Sequence, residues 1–188
     1  IYTSDHGDNV GARGMWGKSN MYEEAVGIPL IIAGDDVPTS KLCNTPVSLL
    51  DSYQTFVQGV GLEPTAEEAE LKGRSWFDIA VIDDDPERIV FSEYHAASSP
   101  TGAFMIRKGT YKLIYYVDYE PELFDLEADP EETTNVADHP DHADARRDCE
   151  AALRAVVDPE KADRQAKDDQ NALIEKFGGR EAALTTGT

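Results

Sequence analysis

An α/β fold with a small antiparallel annex and terminal helices is predicted by three features of the sequence. A β-prone start, Ile1-Tyr2-Thr3, runs straight into the polar, glycine-containing stretch Ser4-Asp5-His6-Gly7-Asp8. A continuous apolar run, Ile28-Pro29-Leu30-Ile31-Ile32-Ala33, follows. Short β-prone pieces then crowd into residues 89–126.

Each element has its own warrant. A strand that ends in a polar glycine loop is where α/β sheets place ligand chemistry, so residues 1–8 form a buried strand and a candidate site loop. The run 28–33 does not alternate, which predicts a strand covered on both faces in the same, parallel sheet, leaving through Gly34-Asp35-Asp36. Leu49, Tyr53, Phe56, Val57 and Val60 recur at helical spacing and predict a helix within 46–61 with one core-facing stripe, stopped by Gly59 and Gly61. Residues 63–88 are rich in acid and Pro and read as a loop. Beyond them, Ile89–Tyr94, Ala103–Arg107, Tyr111–Val117 and Leu123–Leu126 read as strands, with Lys108-Gly109 a tight hairpin turn. A helix from near Asp138 should bury Cys149, Ala152, Leu153 and Val156. A second should start at Asp158 as N-cap with Pro159 behind it and stop at Phe177-Gly178-Gly179. The expected organisation is 1–88 as an α/β part, 89–137 as the antiparallel sheet and 138–188 as an acidic helical tail. That tail is a solvated face or an arm that docks on a second copy, giving a homo-oligomer.

Composition limits the function. The 188 residues hold 37 acidic and 17 basic side chains, a net charge of −20 that opposes a nucleic acid partner. With 40% hydrophobic and 9% aromatic residues the chain can pack a core. No apolar run approaches the roughly 20 residues of a membrane span. Cys43 and Cys149 form no metal-finger or CxxC spacing and read as free thiols. The sequence begins without Met or a leader pattern, so it reads as the later part of a longer chain.

Asp5 and His6 stand side by side at the predicted strand end, where a carboxylate and an imidazole can reach one divalent cation. With Asp8 next to them they also suit an ordinary solvated acidic loop. Lys18 follows Gly7, Gly11, Gly14 and Gly17, and a loop this rich in glycine can fold back to bring an ammonium to the same place, where it would neutralise a tetrahedral anion. An exposed loop lysine is the plainer alternative. His95, after a predicted strand, is either a substrate-side group or a hydrogen-bonded structural histidine. His139 and His142 read as helix-terminus residues, and Tyr115, Tyr116 and Tyr119 as packing residues.

The stretch Thr3-Ser4-Asp5-His6-Gly7-Asp8 with Lys18 downstream, then Tyr22-Glu23-Glu24 and 28–32, closely resembles the second metal-binding motif of the sulfatases, members of the alkaline phosphatase superfamily. It is nearest to choline-sulfatase-like enzymes and phosphonate monoester hydrolases. Independently, Pro121-Glu122-Leu123-Phe124-Asp125-Leu126 with Asp129-Pro130-Glu131-Glu132 and Asn135-Val136-Ala137 is similar to a segment of sulfatase C-terminal subdomains. The resemblance implies the C-terminal part of an alkaline-phosphatase-like sandwich plus the antiparallel sheet. It implies that Asp5 and His6 are metal ligands and that Lys18 contacts sulfate or phosphonate oxygens. His95 lies in a region the family often brings close to substrate. Many calcium-dependent arylsulfatases carry Asn at the position of His6, and an imidazole also suits manganese or zinc.

The sulfatases use a formylglycine made from the Cys or Ser of a C/S-x-P-x-R motif. That motif is absent here, Cys43-Asn44-Thr45-Pro46-Val47 having the wrong Pro spacing and no Arg. The expectation is a sulfuric ester hydrolase segment that acts on small sulfate esters when joined to the formylglycine part and hydrolyses nothing alone. The alternatives are a phosphonate monoester or phosphodiester hydrolase with the same site, and a noncatalytic assembly segment.

Overall fold

Side-chain alternation along residues 103–116 decides the layout of the molecule. β3 (Val90–Tyr94), β4 (Ala103–Lys108), β5 (Tyr111–Tyr116) and β6 (Glu122–Asp125) form an antiparallel sheet in that order. Because successive residues point to opposite faces, Phe104, Ile106, Leu113 and Leu123 share one side and Met105, Arg107, Lys112, Ile114 and Phe124 the other. The computed structural model describes residues 1–96 and 99–186.

The first face is covered by helices. Phe104, Ile106, Leu113 and Leu123, all at 0% exposure, pack with Ala137 and with Cys149 and Leu153 of α4 (Ala143–Val156). α5 (Pro159–Lys176) starts where the sequence predicts: Asp158 accepts a hydrogen bond from Lys161 N at 3.0 Å, with Pro159 behind it. Asp163, buried in its second turn, accepts from Gly102 N at 2.7 Å and so ties the helix to the start of β4. Gly178 and Gly179 carry φ of 90° and 95°, and a further short helix, α6 (Arg180–Thr186), continues after them. The predicted hairpin is present: Lys108 pairs with Tyr111, leaving Gly109-Thr110 as the turn with Gly109 at φ 61°.

The second face meets the amino-terminal residues. Met21 packs with Ala103, Met105, Ile114 and Phe124, and Tyr22 lies edge-on to Phe124 at 6.1 Å. Tyr22 stands just before the single turn α1 (Glu23–Val26). β1 (Tyr2–Thr3) and β2 (Leu30–Ile31) share a sheet as expected, but they run antiparallel, Tyr2 opposite Ile31 and Thr3 opposite Leu30. Nor are they covered on both faces, since Tyr2 is 66% and Ile31 63% exposed. Among the described residues this sheet has two strands.

Residues 41–88 differ most from expectation. α2 (Asp51–Gly59) is there, yet it buries Asp51 and Thr55 while Leu49, Tyr53, Phe56 and Val60 stay exposed. The reason is hydrogen bonding. Asp51 accepts from Ser48 N, Arg74 N and the Arg88 guanidinium, and Thr55 Oγ1 accepts from Trp76 N, so this polar edge organises the segment that follows. That segment is also not all loop: α3 (Trp76–Val81), capped by Ser75, buries Trp76 and Ile79.

Candidate functional site

Ser4–Lys18 is a loop pinned at several points. Ser4 Oγ donates to His6 O at 2.7 Å, and Asp8 Oδ1 accepts from Val10 N at 2.8 Å and Gly17 N at 3.2 Å. Asn9, 3% exposed, donates from its backbone and its side chain to Gly17 O, closing the loop so that Lys18 returns to the start. Gly7 is required by close approach: its N donates to Ala25 O at 2.8 Å, and a Cβ there would lie 2.0 Å from Glu24 O.

The outcome is a cluster at the end of β1. His6 Nδ1 is 2.7 Å from Gly7 O, and because a carbonyl only accepts, Nδ1 carries the proton and Nε2 presents a lone pair. That Nε2 lies 3.4 Å from Asp5 Oδ2 and against the Lys18 ammonium. Desolvation raises the Asp5 pKa, but the neighbouring His6, two backbone N–H groups and Lys18 outweigh it and hold the carboxyl below its usual range. The cluster therefore offers a carboxylate, an imidazole nitrogen and a primary ammonium within one contact shell.

The cluster opens on a cavity of about 760 Å³ between the β1 end, residues 43–49, Trp76 and the second face of the sheet. Asp5, His6 and Lys18 line it, with Glu23, Arg107 and Lys112 on the sheet side. Lys112 is fully buried and paired with Glu132 and with Glu23 Oε1 at 2.9 Å. The structure thus brings Asp5, His6 and Lys18 together, and sets His95 apart from them. Tyr94 belongs to the cavity side of β3 and the following His95 to the helix side, where its ring meets Phe104 edge-on at 5.1 Å and its Nε2 lies 3.3 Å from Glu93. His139 and His142 do sit at helix termini, His139 capping a turn through Asp141 N. Sequence reasoning passed over Arg107 and Lys112, although both fall out of register with Ile106 and Leu113 and so had to face the other way.

Asp5 and His6 present two ligand atoms to one point, Oδ2 and Nε2. Their free atoms, 3.4 Å apart, are spaced for two ligands of one ion at about 2.0–2.2 Å each. Nε2 already draws a cation, the Lys18 ammonium. The pair fits as part of a coordination shell. No third His, Cys, Asp or Glu joins them among the described residues. No helix of those residues is long and apolar enough to cross a membrane.

Residues 11–158 match the family model described as N-sulphoglucosamine sulphohydrolase, C-terminal. The choline-sulfatase of Rhizobium meliloti strain 1021 is 38% identical over 145 residues, covering 74% of this chain and 27% of that protein. Arylsulfatase K of Mus musculus is 33% identical over 150 residues, covering 73% and 26%. Among solved structures, BT1596, a 2-O GAG sulfatase, superposes with a TM-score of 0.67 at 26% identity, covering 90% of this chain and 37% of that one. The chain spans about a quarter of the curated relatives it matches.

Proposed function

Since the chain belongs to the sulfatase family of the alkaline phosphatase superfamily, in its N-sulphoglucosamine sulphohydrolase C-terminal branch, we propose that it supplies part of a sulfuric ester hydrolase site. Asp5 Oδ2 and His6 Nε2 would hold a divalent metal ion, calcium by family habit, with manganese and zinc equally served by the imidazole. When bound, that ion neutralises charge on the ester oxygens and orients the attacking group. Lys18 contacts the same oxygens and offsets the negative charge that builds on them during transfer. The Nδ1–H bond to Gly7 O keeps His6 in the tautomer that ligates. The closed loop keeps Lys18 at the metal side. The attacking group is a formylglycine from a part of the site other than this chain, which has no C/S-x-P-x-R sequence. The chain alone is accordingly inactive.

The observation that supports this reading is the convergence of Asp5, His6 and Lys18 at one corner of the cavity. The test is hydrolysis by the full-length protein of an aryl sulfate, choline sulfate and an aryl phosphonate monoester. Turnover of at least one sulfate ester above the phosphonate is expected. Turnover of the phosphonate alone would move the reading to phosphorus transfer, and inactivity on all three would overturn it.

A further inference from the structure

The Arg107 guanidinium lines the cavity and meets no carboxylate among the described residues. Its Nε is buried without an acceptor. It stands on β4 directly opposite Lys112 and Val90, on the sheet face that lines the cavity. Two of the acids that line the cavity are engaged elsewhere: Glu23 with Lys112 and Glu93 with His95. Two other buried polar atoms from the cavity lining, Trp76 Nε1 and Thr3 Oγ1, also lack partners among the described residues. Buried donors left unpaired are costly, and an anionic ligand entering the cavity is the group that satisfies a guanidinium.

We propose that Arg107 recognises a second anionic group of the substrate, a carboxylate or a further sulfate carried by the part of the ester that Lys18 does not touch. This rests on the sulfate-ester reading and narrows it to dianionic or polyanionic esters. Arg107 touches the non-reacting end of the substrate, so it sets specificity and takes no part in bond cleavage. An arginine suits this because its planar fork binds a carboxylate or sulfate edge through paired N–H groups, which lysine does not reproduce.

The experiment uses the full-length protein and two nonhydrolysable probes, benzenesulfonate and 4-sulfobenzoate, titrated calorimetrically into wild type, R107Q and R107K. Wild type should bind 4-sulfobenzoate about tenfold more tightly than benzenesulfonate, the size expected for a charged hydrogen-bonded pair. R107Q should erase that preference and leave benzenesulfonate within about twofold, the bound for a side chain that touches only the second anion; R107K should retain part of it. Equal affinity of wild type for both probes, no binding of either, or an equal loss of both in R107Q and R107K would overturn the inference. Hydrolysis of phenyl sulfate by wild type is scored separately. Turnover without a preference for 4-sulfobenzoate sinks only the role of Arg107, whereas absence of turnover sinks the sulfatase reading itself.

Discussion

Arg13 reaches across 119 residues of sequence to donate to the backbone carbonyl of Glu132 at 2.9 Å. The same guanidinium donates to Glu131 O at 2.5 Å, pairs with Glu24 at 3.3 Å and lies 4.1 Å over the Tyr22 ring. It thereby ties the loop that carries Lys18 to the loop that follows β6. Arg13 itself sits at φ 53°, so these contacts hold a backbone that non-glycine residues rarely adopt. R13A should cost about 1.5–3 kcal/mol of stability, the range for hydrogen bonds from a charged group. Urea unfolding measures this. Hydrogen exchange should report faster exchange at Asn9 and Gly17, whose amides close the loop. R13K should behave like R13A, because an ammonium cannot span both carbonyls and stack on the ring.

Beneath that tie lies the Lys112–Glu132 pair, both side chains at 0% exposure, with Glu132 Oε2 also accepting from Glu23 N at 2.7 Å. Removing one partner strands a buried charge. K112M should therefore cost about 3–5 kcal/mol, and K112M combined with E132L should cost less than K112M alone. Denaturant midpoints of the single and double variants decide it. A double variant worse than K112M would mean that Glu132 matters more for the Glu23 amide than for the lysine.

Acid should loosen the start of α5 through Glu160. Hydrogen bonds from Arg154 and then Tyr115 depress its carboxyl from 4.5 to about 2, against a smaller opposing effect of desolvation. A depressed carboxyl stabilises the fold above its unfolded value, and that contribution shrinks as pH falls from about 4.5 and is lost below about 2. The Glu160 side chain is 35% exposed, so solvent screening keeps the contribution under about 1 kcal/mol. E160Q should be less stable than wild type at neutral pH and converge with it near the acid end of that window. Urea midpoints taken across the range measure the convergence.

The two thiols should separate chemically. Cys149 is 2% exposed, and burial pushes its thiol up to about 11, so almost none of it is thiolate at neutral pH. Cys43 is only partly buried. A disulfide reagent should label Cys43 in the native protein and Cys149 only after denaturant is added. Native labelling of Cys149 would show that α4 leaves the sheet readily.

The sheet was legible because alternation and turn chemistry agree. Residues 103–116 swap faces at every step, and Gly109 supplies the left-handed turn. The start of α5 was legible for a similar reason, since Asp158-Pro159 states both cap and first turn. The buried face of α2 was not, because Asp51 and Thr55 are polar and reveal their burial only through partners 21 to 37 residues away. Nor was α3 visible in a segment dominated by acids and prolines. At the site, Asp5, His6 and Lys18 could be named from a motif, but the face of His95 needed the register. With Tyr94 on the cavity side, the next residue takes the other side.

The most direct test is metal content and aryl sulfate turnover measured together in the full-length protein for wild type, D5A, H6A and K18A. D5A and H6A should lose bound divalent metal and turnover together. K18A should keep its metal and lose turnover by about 10²–10³-fold, the scale of removing one charge-stabilising donor. Full metal occupancy in both D5A and H6A, or undiminished turnover in K18A, would contradict the assignment of this corner of the cavity to the reaction.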